Sequence, residues 1–251
     1  MQRFTVCLLV LFVPVGAARA EVIIDTDTTL DYDVSDSVRV IAGASPPTTV
    51  QFLEPGDADN MTVYDDSIVN MTAGYIGGYL EGYDSATLNV SDGFFGLGLK
   101  AHDQSTLNVS GGGTELLYVY DESVTDFSGG YYELVKVRDS AHMDIRGNAK
   151  MDMLSASGTS TMDIFGGDLS WPEASGSSVI TIHGTDFNYP YGEIPDVSGV
   201  LTGTLANGDL IDGLPFHIYD DASIVLVPEP STLVLLSLAF VALSGCLRRR
   251  R

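Results

Sequence analysis

The feature that most constrains this chain is a period. A polar–apolar pair recurs as Asn70-Met71, Asn89-Val90, Asn108-Val109, Asp126-Phe127, Asp144-Ile145, Asp163-Ile164 and Thr181-Ile182, at steps of 19, 19, 18, 18, 19 and 18 residues. Around each pair the unit reads approximately D-x-S-x-L-N-V-S-G-G, as in Asp103–Gly112, followed by a variable segment and an apolar-x-apolar-x-D string such as Leu117–Asp121. Each unit supplies two short alternating strands separated by Gly, Ser and Asp corners. Two such strands cannot bury a face alone, whereas coils stacked about 4.8 Å apart bury a continuous apolar column. The fold class implied is all-β, a parallel β-solenoid of about seven coils of 18–19 residues.

The alternation assigns inward positions. On the first strand these are Leu88/Val90, Leu107/Val109 and Met143/Ile145; on the second, Leu97/Leu99, Leu117/Val119, Val135/Val137 and Met151/Met153. The pairs Gly77-Gly78, Gly111-Gly112, Gly129-Gly130 and Gly166-Gly167 are expected at sharp corners, because glycine tolerates positive φ. Other repeat architectures fit less well. Leucine-rich repeats need an Asn/Cys ladder in a leucine framework, propeller blades need about 40 residues, and calcium-binding nonapeptide repeats have about half this period.

Five segments follow: 1–20 as a signal peptide, 21–63 as an N-terminal cap with first strands, 64–184 as the repeats, 185–226 as capping strands, and 227–251 as a C-terminal signal. The first twenty residues combine Arg3, the apolar run Phe4–Val15 and a small-x-small cleavage site at Ala18-Arg19-Ala20. In 21–63, Val38–Ile41 and Thr49–Phe52 read as cap strands, and Phe52 falls 19 residues before Met71, where the first coil can begin. Beyond Gly184 the period is lost; Val200-Leu201, Thr204-Leu205, His217–Tyr219 and Ser223–Leu226 read as irregular capping strands.

At the C-terminus, Val227-Pro228-Glu229-Pro230 precedes an apolar run ending at Leu247 and closed by Arg248, Arg249, Arg250 and Arg251. As a helix from Thr232 the run is roughly 24 Å long, short against a hydrocarbon core of about 30 Å. Snorkelling arginines can make up the difference. The arginine cluster is expected to stay cytoplasmic and hold the body across the membrane.

Motif, short apolar helix and arginine cluster, in that order, closely resemble the PEP-CTERM sorting signal of Gram-negative bacteria and planctomycetes. That resemblance implies a membrane-anchored precursor, recognition and tail removal by an exosortase, and delivery to the cell surface or exopolysaccharide matrix. The repeat "D-S-x-x-N-V-S-G-G" over Tyr64–Gly184 is similar to repeats in planctomycete PEP-CTERM proteins.

Charge excludes further classes. The net charge is −22, with 34 acidic and 12 basic residues, and all but six of the basic ones lie in the terminal segments. Residues 21–227 therefore carry 33 acids against six basic side chains, a net of −27. Such a body repels phosphate backbones, so nucleic acid is not an expected partner. The two cysteines, Cys7 and Cys246, sit in the terminal apolar runs, which removes disulfides, thiol nucleophiles and thiolate metal sites from the body.

Several groups of side chains could carry chemistry. Lys136, Arg138, Arg146 and Lys150 fall within two neighbouring coils; in a polysaccharide-acting β-helix lyase or hydrolase, Arg138 and Arg146 would be the first suspects. Coils without insertions build no cleft, and local charge balance also explains the cluster, so a non-enzymatic role is expected. Asp66, Asp84, Asp103, Asp121 and Asp139 recur at 18, 19, 18 and 18 residues. They would stack along one corner as a candidate Ca²⁺ row, or bond their own turn backbone. His102, His142, His183 and His217 show no metal-ligand spacing, and His102 and His142 are expected to be solvated at coil corners. Trp171 is expected to pack near the last coils. Tyrosines 75, 79, 83, 118, 120, 131 and 132 could form a strip that stacks on sugar rings. The function expected is an exported structural, adhesive or exopolysaccharide-associated surface protein.

Overall fold

The computed structural model describes residues 21–229 apart from 35 and 44–46. The expected signal helix with its Ala18/Ala20 cleavage site, and the C-terminal helix with Pro230 and Arg248–Arg251, lie outside the described residues. Among the described residues there is no helix, and every element is a β-strand or bridge.

The period becomes a three-faced parallel coil. Strands Ile68–Met71, Thr87–Val90, His142–Ile145 and Thr161–Ile164 lie on one face, together with the first parts of Thr106–Val119, Val124–Val137 and Val179–Thr185. All seven anchor pairs stand in one register: Met71, Val90, Val109, Phe127, Ile145, Ile164 and Ile182 are successive partners. A second, short face runs through Tyr75–Ile76, Phe94–Phe95 and Asp168–Leu169. The third runs through Met61–Val63, Tyr79–Gly82, Gly98–Ala101 and Pro172–Ala174.

Inward side chains of the three faces meet in one column. Leu88, Leu107, Val109, Met143 and Ile145 of the first face are buried, as are Leu99, Leu117, Val119, Val135 and Val137 of the third. Two expected core positions are corrected: Leu97 is 47% exposed and Met153 41% exposed. In those coils Leu99/Ala101 and Leu154/Ala156 fill the column, because they are the register partners of Leu117/Val119 and Val135/Val137. A variable-length corner precedes this face, so the phase of alternation restarts there. Met151 is buried as expected, but on the second face, beside Tyr132 in register.

Solenoid geometry extends beyond the periodic sequence. Thr49–Phe52 pairs with Ile68–Met71, and Thr28–Leu30 pairs with Thr49–Phe52. Glu21–Ile24 pairs with Ser37–Val40, which pairs with Met61–Val63. The expected cap strands are therefore coil strands; only their corners are irregular in length. Toward the C-terminus, Ser198–Leu205 and Leu210–Ile218 form an antiparallel hairpin. The chain then rejoins the coil: Ile218 pairs with Ala174, and Ser223–Pro228 lies parallel to Val179–Thr185. Gly192–Glu193 runs antiparallel along Val225 and Leu226, occupying the edge of that last strand. An open edge is a template for unwanted pairing, so this cover is a true cap.

The corners explain the D-x-S string. Asp65, Asp84, Asp103, Asp121 and Asp139 all adopt φ between 55° and 59°, a left-handed conformation that Asp tolerates better than most residues. Each carboxylate Oδ2 accepts the backbone N–H of the preceding Asp in the row, at 3.2 Å for Asp84, 3.1 Å for Asp103 and Asp121, and 3.5 Å for Asp139. Where the row lacks Asp, Gly158 takes the same turn at φ 74°, and a Cβ there would lie 2.9 Å from the Asp139 backbone nitrogen. Two residues on, Ser67, Ser105, Ser123, Ser160 and Ser178 are buried. Of the expected corner pairs, Gly112, Gly130 and Gly167 have positive φ; Gly77 and Gly78 do not, and Gly74 at φ 100° makes that coil's turn.

Burying a charge in the column tests the register. Val109→Asp should lower unfolding free energy by about 3 kcal/mol or more in urea titrations; an unchanged midpoint would place Val109 outside the core. At the corner, Asp103→Val should cost about 2 kcal/mol, losing a hydrogen bond and forcing a β-branched residue into positive φ. Asp103→Asn should cost less than about 1 kcal/mol, because its Oδ1 still accepts the amide and Asn tolerates this turn.

Candidate functional site

On the outside of the first face, the register turns sequence-distant residues into rows. One row begins as an amide ladder: Asn89 Nδ2 donates to Asn70 Oδ1 at 2.7 Å, and Asn108 Nδ2 donates to Asn89 Oδ1 at 2.8 Å. It continues through Asp126, Asp144 and Asp163. The neighbouring row runs Ser91, Ser110, Ser128, Arg146, Phe165, His183. Its hydroxyls turn back onto the strand, Ser128 Oγ donating to the Val109 carbonyl at 3.2 Å. Between the rows lies a shallow groove of about 500 Å³, lined by the three asparagines, these serines, Asp126 and Arg146. A cleft was not expected from coils without insertions. It arises because short Ser and Asn side chains leave a trough that needs no loop walls.

The other end of this face is charged. Arg146 Nη2 donates to Asp144 Oδ2 at 2.7 Å, and Nη1 lies 3.9 Å from Asp126 Oδ2. Its guanidinium stands 5.1 Å over the Phe165 ring, which stacks on His183 with centroids 4.1 Å apart. His183 Nε2 lies 2.8 Å from Asp163 Oδ1, and its Nδ1 4.0 Å from Glu229 Oε1. His142 sits at hydrogen-bond distance, 2.8 Å, from Thr161 Oγ1 through Nδ1, and at 3.4 Å from Asp144 Oδ1 through Nε2. Linear spacing hid this cluster. Stepping by one coil from His142 and Asp144 would have found Thr161 and Asp163.

Arg138 and Arg146 are not brought together as a pair. They flank His142–Ile145 at its two ends, and the Arg138 guanidinium lies 6.0 Å over Tyr120. Lys136 lies 5.9 Å over Tyr118, and Lys150 4.0 Å from Asp168. The expected acidic row is present, with Asp65 in place of Asp66: Asp65 donates its amide to Asp84 and carries the positive φ. The D-x-S string, read as Asp65-Asp66-Ser67, contains that assignment. Each carboxylate of the row from Asp65 onward accepts a backbone amide.

A second row stacks aromatic rings along the third face. Tyr64 and Tyr83 are 5.2 Å apart, Tyr83 and His102 4.6 Å, and His102 and Tyr120 4.8 Å, with all the rings nearly parallel. The faces of Tyr83 and His102 are covered by their neighbours, so this row offers edges rather than faces to a sugar. Tyr132 is buried in the core, and Tyr75 stacks on Phe94 at 5.8 Å. Trp171 stacks on His217 at 5.3 Å beside the last coils. Beside the aromatic row, burial alone would raise Glu81. Hydrogen bonds from Lys100 at 2.7 Å and Tyr83 at 2.6 Å outweigh it and hold the carboxyl below its usual range.

His102 is half-buried rather than solvated. Desolvation between two tyrosines depresses its pKa, against the opposing pull of Glu81 and Asp121. The unfolded chain therefore binds the proton more readily, so His102 contributes stability that is present above the ordinary histidine value and lost as pH falls below it. NMR titration should find His102 titrating below the ordinary histidine value, and His102→Phe should flatten the stability profile just below pH ~6.5. A His102 midpoint at or above the unfolded value would overturn the stacking argument.

Against known sequence families, residues 226–251 match one described as the PEP-CTERM protein-sorting motif. No curated protein and no solved structure matches the chain. The match begins at Leu226, inside the last coil strand, Ser223–Pro228. Val227 and Pro228 are paired with His183 and Gly184, and the Glu229 amide donates to the Gly184 carbonyl at 3.3 Å. The chain thus carries a PEP-CTERM sorting signal, which implies export through exosortase sorting and processing at the cell envelope, joined without a linker to a β-solenoid body.

Proposed function

We propose that this protein is a non-enzymatic surface or extracellular-matrix component, a rigid β-solenoid delivered through its sorting signal as a membrane-anchored precursor, with a structural or exopolysaccharide-associated role. The observation that carries this reading is the continuity of Ser223–Pro228 with the motif. The solenoid is the cargo of the signal, and its last rung is built from the signal's first residues.

The outer faces support the same reading. A lane of amides and hydroxyls along the coil axis suits an extended polyhydroxylated chain, which is recognised by many hydrogen bonds along its length. The charged groups at the end of the lane are engaged with one another: Arg146 with Asp144, and His183 with Asp163. The repeating Asp corner is read as a backbone-capping ladder, its carboxylates serving the preceding coil in the way a Ca²⁺ row would not require. A polysaccharide lyase or hydrolase centred on Arg138 or Arg146 is the competing reading.

Replacing Pro228, Glu229 and Pro230 together by alanine should leave the precursor in the membrane fraction of an exosortase-bearing host. The unaltered chain should appear in the surface or matrix fraction. Sedimentation with a neutral exopolysaccharide should carry the protein down without release of new chain ends, and an anionic polymer, repelled by the acidic body, should bind less. Chain cleavage that disappears in Arg146→Ala or Arg138→Ala would replace this reading by the enzymatic one. Added Ca²⁺ should leave the thermal midpoint unchanged; a rise abolished by Asp103→Asn would make the Asp corner a cation site.

A further inference from the structure

The outer row of the first face holds a set of donors that neither the sorting signal nor the polysaccharide lane uses. His142, Asp144 and Asp163 each offer one ligand atom, and these atoms all lie within 4.8 Å of one another. The set is mixed rather than a plain acidic cluster. An imidazole nitrogen with two carboxylate oxygens suits a divalent first-row transition metal better than Ca²⁺, which prefers an all-oxygen shell.

The outer atoms of these groups are already held. His142 uses Nδ1 on the Thr161 hydroxyl, which leaves Nε2 toward Asp144 Oδ1 at 3.4 Å. That separation matches two donors on a tetrahedral Zn²⁺ about 2.0–2.1 Å from each. Asp144 accepts Arg146 through its other oxygen, Oδ2. Asp163 is anchored by His183, which faces Glu229 through its second nitrogen. Imidazoles and carboxylates oriented in this way by outer partners are the usual support of a metal centre. Charge points the same way. Asp126, Asp144, Asp163 and Glu229 face this region, and among the described residues Arg146 is the one Lys or Arg side chain paired with any of them. Carboxylates thus outnumber the guanidinium here, an excess that a dication would offset.

We propose that His142, Asp144 and Asp163 form a surface site for one Zn²⁺-class divalent ion, with Thr161, Arg146 and His183 as positioning residues. The ion would bridge two successive rungs, because Thr161 and Asp163 lie one coil beyond His142 and Asp144, while His183, one coil further, orients Asp163.

The full chain in detergent micelles, stripped with chelator and dialysed, should be titrated calorimetrically with ZnCl₂ and separately with CaCl₂ at neutral pH. One Zn²⁺ per chain is expected, bound more tightly than Ca²⁺, with a rise in thermal midpoint on loading. His142→Gln and Asp163→Asn, which preserve volume, should each weaken binding at least tenfold while keeping the far-ultraviolet spectrum. His217→Gln, on the separate Trp171 stack, should leave binding unchanged. The proposal is overturned if no one-to-one Zn²⁺ site is found, if Ca²⁺ binds more tightly, or if His217→Gln weakens binding as much as His142→Gln.

Discussion

In-register parallel pairing from coil to coil is the interaction on which the molecule depends. A parallel ladder places equivalent residues of successive coils about 4.8 Å apart. Any residue type the repeat keeps at one position must therefore stack on itself. Apolar positions become a continuous column, from Phe52 through Met71, Val90 and Val109 to Ile182 and Leu226. Polar positions become ladders, and their energetics are set by what can stack on itself. Asparagine can, since each amide both donates and accepts, as Asn70, Asn89 and Asn108 do.

Aspartate is the harder case, because carboxylates stacked at this distance repel. The corner avoids the conflict by aiming each carboxylate at a backbone amide of the preceding coil. The same left-handed turn that calls for Asp or Gly thereby gives its carboxylate a hydrogen-bond donor. On the first face no such amide is free, since the strand amides are used in the ladder. There the column of Asp126, Asp144 and Asp163 recruits Arg146, His142 and His183 instead. One of the body's six Lys and Arg side chains, Arg146, is thus placed where stacking concentrates negative charge.

The two ends of the solenoid are treated differently. At the C-terminal end, Gly192–Glu193 lies along the last strand of the first face. At the N-terminal end, Thr28–Leu30 pairs with Thr49–Phe52, and Glu21–Ile24 pairs with Ser37–Val40. The sorting motif enters at the covered end, its valine and first proline already paired in the sheet and its glutamate against His183. The first residues of the motif, Val227 to Glu229, therefore belong to a folded rung of the body.

Period, alternation and turn chemistry were legible in the residues themselves. They sufficed for the solenoid class, the seven anchor rungs and the buried first-strand pairs, because an 18–19-residue repeat can bury its apolar positions only by stacking. The sorting signal was legible too, since three unlike features stand in order at the C-terminus. Phase beyond a variable corner was not: alternation points Leu97 and Met153 inward, whereas Leu99 and Leu154 fill the column. Nor was the return of the chain after the hairpin, which restores the coil register at Ser223 after a gap with no period at all. The charged cluster of the first face belongs wholly to tertiary structure. His142, Asp163 and His183 are separated by whole turns of the coil, and only the coil-to-coil ladder makes them neighbours.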